Sequence, residues 1–178
     1  MPSLVGSEMC IRDSKRADPG QQSLSRRRKK DNREVAHPKK IKVFLDSNVW
    51  FSALYTDLKG SYPSLILRLA QEELFELYFS TLVELELRYN VQKKIPAKEK
   101  KIDILLKGAK RLVDVRFDLE PLNKLSEKDQ IIISTAIYHQ MDVFITGNIR
   151  DFSYLLGKKI GKTLILTSKA FCLNYKSK

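Results

Sequence analysis

From Ile41 onward the chain alternates between two hydrophobic periodicities, and that alternation limits the folds open to it. IKVFLD is a short β-rich run closing on a polar residue, and SNVWFSALY after it reads as a helix start. SYPSLILRLAQEE has helical apolar spacing at Leu65, Ile66, Leu69 and Ala70. FELYFS alternates Phe75, Leu77 and Phe79, as a strand does. TLVELELRYNVQKK and PAKEKKIDILLKGAKRLV predict two helices, the second with Pro96 in its first turn. VDVRF is a strand candidate, and SEKDQIIISTAIYHQ a helix with a cap signal. DVFIT predicts a strand, NIRDFSYLL a short helix, TLILTS a strand and KAFCLNY a terminal helix. Strands alternating with helices predict an open, parallel α/β sheet. Such sheets bind ligands beyond the carboxyl ends of their strands.

The 178 residues suit one domain large enough to bury a core. A hydrophobic content of 43% with 30% charge is that of a globular protein, and no apolar run approaches the ~20 residues of a membrane span. The two cysteines, Cys10 and Cys172, make no disulfide framework, so a cytoplasmic location is expected. The net charge is +12, made up of −1 in residues 1–14, +8 in residues 15–42 and +5 from residue 43 onward. Leu4–Ser14 has no hydrophobic period. One choice of codons for it spells a transposase sequencing adapter read in frame. Residues 1–14 are therefore expected to be a translated artefact, 15–40 a basic disordered tail, and 41–175 the folded domain.

The strand ends hold the chemistry. The first strand stops at Asp46, the late strand at Thr146-Gly147-Asn148, and Asp151 follows one helical turn on. Parallel pairing puts both ends on one edge of the sheet. Asp142 begins its strand and belongs to the opposite edge. Asp129 lies in the first turn of its helix, on the face of Ile133 and Ala136, and Glu84 and Glu86 lie near the start of another. Each acid taken singly has a plainer role. Ser126-x-x-Asp129 and Thr81-x-x-Glu84 both read as capping boxes, and a strand-end Asp is commonly a cap or turn residue. Gathered at one edge, the acids would raise each other's pKa. A shared hard cation, Mg2+ or Mn2+, relieves that with oxygen ligands, and such a metal can direct water at a phosphodiester.

VFLDSNVWFSAL, FSTLVELELRY and KDQIIISTAIYHQMDVFITGNIRDF, in this order and spacing, resemble the PIN-domain family, metal-dependent ribonucleases that include VapC-type toxins. The resemblance spans about residues 41–170. It implies an α/β/α sandwich with a central, mainly parallel sheet, one or two Mg2+ or Mn2+ ions, and hydrolysis of RNA. Position by position it implies that Asp46, Glu86 and Asp129 bind metal, with Glu84 the alternative second acid. The fourth position, often Asp in the family, is Asn148 here; an amide brings no charge, and Asp151 is expected to substitute in part. Asn48 and Thr146 match positions that line the site. An antitoxin protein covering the groove and a homodimer are further expectations from the resemblance.

Other residues carry plainer expectations. His139 reads as a surface or capping residue, Trp50 and Phe51 as packing, and Cys172 as a small buried side chain. Lys93, Lys94, Lys98, Lys100 and Lys101 read as a solvated face, with RNA contact the sharper alternative. The rival to the enzyme is a catalytically weakened PIN-like module that binds RNA or a protein, with Asn148 marking the loss. An enzyme acting on structured DNA is a third reading, and the absence of long insertions argues against it.

Overall fold

The computed structural model describes residues 39–57 and 59–175. The adapter-like segment and nearly all of the basic tail lie outside the described residues. The chain runs from β1 (Ile41–Leu45) through α1 (Ser47–Tyr55) and α2 (Tyr62–Gln71) to β2 (Phe75–Ser80). Next come α3 (Thr81–Lys94), a 3-10 turn at Pro96–Lys98, α4 (Lys101–Leu106) and β3 (Lys110–Leu112). A second 3-10 turn at Glu120–Leu122 precedes α5 (Glu127–Tyr138), β4 (Val143–Thr146) and α6 (Ile149–Phe152). A two-residue β5 (Lys159–Ile160), β6 (Thr163–Thr167) and α7 (Ser168–Tyr175) complete it.

The strands form one six-stranded sheet in the order β3-β2-β1-β4-β6-β5. β1 pairs in parallel with β2 and with β4, β3 with β2, and β6 with β4; β5 is antiparallel to β6. The chain therefore winds outward from β1 to β3, then returns to the other side of β1 for β4. The β1/β4 boundary is where the winding reverses, the place where open α/β sheets leave a crevice.

The central strands are buried on both faces, as parallel strands under helices must be. Val43, Phe44 and Leu45 of β1 and Phe144 and Ile145 of β4 have no exposed surface. Phe144 sits between Phe44 and Phe152, with ring centroids 5.8 and 5.6 Å away. Trp50 is a packing residue, as expected: it is fully buried, meets Phe79 edge-on, and its indole N–H donates to the Leu45 carbonyl at 3.2 Å. Cys172 is buried. Among the described residues no helix is long and apolar enough to cross a membrane.

The fold departs from the sequence reading between residues 96 and 117. The helix expected over 96–113 is broken into a 3-10 turn and the six-residue α4, and Lys110–Leu112 is a strand. Gly108, costing about 1 kcal/mol inside a helix, lies in the turn after α4. The open edge of β2 then offers backbone partners to Lys110–Leu112. Lys110 pairs with Glu76 and Arg111 with Glu84 across that edge. VDVRF forms no strand. Its backbone is met by side chains of α5 instead, Val115 N–H donating to Thr135 Oγ1 at 2.9 Å and the Phe117 carbonyl accepting from Ser134. The short β5 has no period from which to predict it.

The aromatic stack around Phe144 makes a stability prediction. Phe144→Ala should lower unfolding free energy by about 3–5 kcal/mol, read as a lower urea midpoint by the fluorescence of Trp50, the single tryptophan.

Candidate active site

Asp46 occupies the β1/β4 boundary. Its backbone N–H donates to the Ile145 carbonyl at 2.9 Å, and its own carbonyl accepts from Val49 and Trp50, starting α1. Yet its side chain makes no capping bond. The carboxylate is 1% exposed and is held by two hydroxyls: Thr146 Oγ1 donates to Oδ2 at 2.7 Å, and Ser47 Oγ lies 3.3 Å from Oδ1. The plain role of a strand-end Asp as a side-chain cap is thus absent here. Burial, with the neighbouring charges of Asp129 and Glu86, raises the Asp46 pKa from 3.8 to about 6, against the opposing effect of Thr146.

Three further elements supply the rest. Glu86 projects from the second turn of α3 and accepts from Ser47 Oγ at 2.9 Å, so a single hydroxyl lies between the Asp46 and Glu86 carboxylates. Asp129 lies in the first turn of α5, opposite the N-cap Ser126. Ser126 Oγ accepts from Asp129 N–H and donates to the Asp129 carboxylate at 2.7 Å, which forms the expected cap. Ile133 and Ala136, on the same helix face, are fully buried. Burial raises the Asp129 pKa, with Asp151 adding to the rise and Ser126 opposing it. The carboxylates therefore form an electrostatic chain, Glu86 and Asp129 each acting on Asp46 and Asp151 on Asp129.

The loop after β4 closes the site. Thr146 Oγ1 accepts from Asn148 N–H at 3.0 Å while donating to Asp46. Gly147 packs closely, since a Cβ there would come 3.2 Å from Asn48 Cβ and Asn48 would have to shift slightly. Asn148 caps α6 and donates its amide N–H to Asp151 at 2.8 Å. With Arg150 also bonded to it, Asp151 is held below the usual carboxylate range, chiefly by Asn148. A cleft of about 460 Å3 opens beside this loop, lined by Asn48, Ser52, Asn148 and Ser168 among others.

Glu84 is not brought in. It is bound by Arg88 at 2.8 Å and Arg111 at 3.2 Å. The capping box expected from Thr81 to Glu84 is also absent, because the N-cap is Ser80, whose hydroxyl accepts from Val83. Asp142 is at the opposite edge, accepting from Lys42 N–H and pairing with Lys162. His139 caps the end of α5 and meets the Val113 carbonyl. The sequence reading missed Ser47 and Asp114. Ser47 was visible only as the hydroxyl next to Asp46. Asp114 holds Leu82 N–H at 2.9 Å and so fixes the start of the helix that carries Glu86; no local pattern points to it.

A hard divalent cation fits this donor set in kind. The groups are oxygen donors, and Asp46, Glu86 and Asp129 lack ion-pair partners among the described residues, whereas neighbouring Glu84, Glu127 and Asp151 each have an arginine. In their present positions no three His, Cys, Asp or Glu side chains among the described residues are close enough to hold an ion. Hydroxyls of Ser47, Thr146 and Ser126 occupy the carboxylates instead.

The buried Asp46 carboxylate sets a pH dependence. Its folded-state pKa lies above its unfolded value, so its contribution to stability is present below about pH 4 and lost as pH rises through 6. Asp46→Asn should remove that loss. In EDTA at pH 7.5 the variant should be more stable than wild type by up to about 3 kcal/mol, and thermal melts between pH 4 and 7 should show a flatter profile.

Comparison with known proteins follows the same lines. A family profile described as PIN domain matches residues 42–150, more than half of the chain. No curated protein matches. The fold superposes with a TM-score of 0.53 on a chain from the crystal structure of VapBC2 from Rickettsia felis bound to a DNA fragment from their promoter. Identity is 20%, covering 71% of this chain and 98% of that one, a likeness of fold. The profile match across β1, α3, α5 and the loop after β4 makes the conclusion plain: the chain belongs to the PIN-domain family.

Proposed function

We propose that this PIN domain is a ribonuclease that hydrolyses RNA phosphodiester bonds with a divalent cation, Mg2+ or Mn2+. One observation carries the reading: a fully buried carboxylate, Asp46, has no ion-pair partner among the described residues and lies within electrostatic reach of two more acids. Such an arrangement costs the protein stability, and a bound cation offsets the cost.

Asp46, Glu86 and Asp129 would hold the ion, exchanging their hydroxyl partners for it. The ion would supply an activated water and neutralise charge developing on the phosphate. The chain's own residues do the rest. Thr146 fixes the rotamer of Asp46, and Ser47 keeps Glu86 beside it. Asn148 and Asp151 sit at the open side, where Asp151 stays ionised and Asn148 orients it. Asn48 lines the adjoining cleft. A role as the toxin of a toxin–antitoxin pair belongs to this proposal, as do an antitoxin partner, a homodimer and a cytoplasmic setting. The fold likeness to a chain of the VapBC2 crystal structure supports the toxin reading.

The rival, a weakened binding module, draws on the amide at Asn148 and on the separation of the acids. Metal binding separates the two. With labelled single-stranded RNA, cleavage should require Mn2+ or Mg2+, stop in EDTA, and fall by at least about a hundredfold in Asp46→Asn and Asp129→Asn. Full metal-dependent activity in both variants would exclude the site. Mn2+ should also raise the melting temperature of wild type and leave Asp46→Asn unmoved. A folded wild type that neither binds Mn2+ nor cleaves RNA would establish the binding module.

A further inference from the structure

A second cleft adjoins the acidic centre through Glu86 and shares no lining residue with the cleft at Asn48 and Asn148. It encloses about 370 Å3 and is lined by Leu82, Leu85, Glu86, Tyr89, Asn90 and Lys128. Glu86 belongs both to this cleft and to the centre, through its bond to Ser47. Leu85 and Tyr89, one turn apart on α3, are 59% and 62% exposed. Lys93 Nζ lies 5.7 Å from the centroid of the Tyr89 ring. Among the described residues neither Lys93 nor Lys128 has an ion-pair partner, in contrast to Lys98 and Lys101 on the same stretch of chain, which pair with Asp57. The basic run at residues 93–101 is therefore not uniform: Lys98 and Lys101 are tied to Asp57, while Lys93 lies over the ring of Tyr89, which lines this cleft.

We propose that this cleft is a nucleotide subsite, in which Tyr89 stacks the base next to the scissile phosphate while Lys93 and Lys128 meet the flanking phosphates. The proposal rests on the ribonuclease reading above. Three features point to a nucleobase as the occupant. An exposed aromatic ring beside free cations is the pattern by which single-stranded nucleic acid is held without reading its sequence. The floor at Leu82 and Leu85 is apolar, and Asn90 adds an amide able to bond a base edge. The cleft also adjoins the candidate ligand Glu86, so a strand with its phosphate at Asp46 would place an adjacent nucleotide there. The cleft lined by Asn48, Ser52, Asn148 and Ser168 would receive another nucleotide of the same strand. A second copy of the chain is a poorer occupant, because the patch has two large exposed apolar side chains set among unpaired cations, and interface cores are depleted of charge.

The test measures fluorescence anisotropy of a fluorescein-labelled, mixed-sequence single-stranded RNA decamer on the full chain, in the Asp46→Asn background and in EDTA. Tyr89→Ala should weaken binding about tenfold, and Tyr89→Trp should restore it. Lys93→Ala and Lys128→Ala should each reduce the slope of log affinity against log salt by about one, while Tyr89→Ala leaves that slope unchanged. Light scattering on the same variants reads oligomeric state. Unchanged RNA affinity in Tyr89→Ala, with wild-type cleavage intact, would overturn the subsite and leave the ribonuclease standing. Loss of a dimer in Tyr89→Ala with RNA affinity unchanged would overturn it in favour of a second copy. Wild type that neither binds nor cleaves this RNA would overturn both readings.

Discussion

The parallel pairing of β1 with β4 is the constraint on which the rest depends. It brings Asp46 and Thr146 to the same level of the sheet and closes the Asp46 backbone onto Ile145. With the main chain satisfied there, the Asp46 carboxylate has no local capping duty and, among the described residues, meets only hydroxyls at the crevice. Asp129 and Glu86 reach it from helices whose first turns lie at the same edge. Separate elements thus deliver acids to one place because the winding reverses there, and the sheet order alone predicts that crevice.

The arrangement trades stability for a charged site. A carboxylate forced to ionise in a dry environment is a standing cost, which ordinary proteins cancel with an arginine or lysine. Among the described residues, arginines meet Glu84, Glu127 and Asp151, around the centre, and none meets Asp46. The hydroxyls of Thr146, Ser47 and Ser126 orient the acids without neutralising them. Orientation of that kind is what a site needs if its charge is to be met by something from outside.

Much of this was legible in the sequence, because period and turn chemistry carried it. The strand ends at Asp46 and Thr146 and the helix of Asp129 follow from local pattern, and the packing role of Trp50 from the family resemblance. The failures have physical causes. A strong helical period through residues 101–113 loses to the open edge of β2 and to Gly108, so β3 is decided by a tertiary partner that a local window cannot see. VDVRF alternates as a strand does, but Val115 N–H and the Phe117 carbonyl bond to side chains of α5. Thr81 looked like a cap because it precedes Glu84 by three, yet Ser80 lies one residue earlier and Arg111 draws Glu84 away. Ser47 and Asp114 act through space on residues far along the chain, and spacing within the sequence holds no trace of that.

The two margins of the sheet have a bearing on how copies of this protein can meet. At one margin β3 has three residues, two of them cationic and tied to Glu76 and Glu84. At the other, β5 has two residues and runs against its neighbour. Neither presents a long, unguarded row of peptide groups to a strand from another molecule. Among the described residues, growth by adding strand to strand is thereby disfavoured at both sides, which leaves the helical faces as the broader surfaces on which copies of this fold can meet.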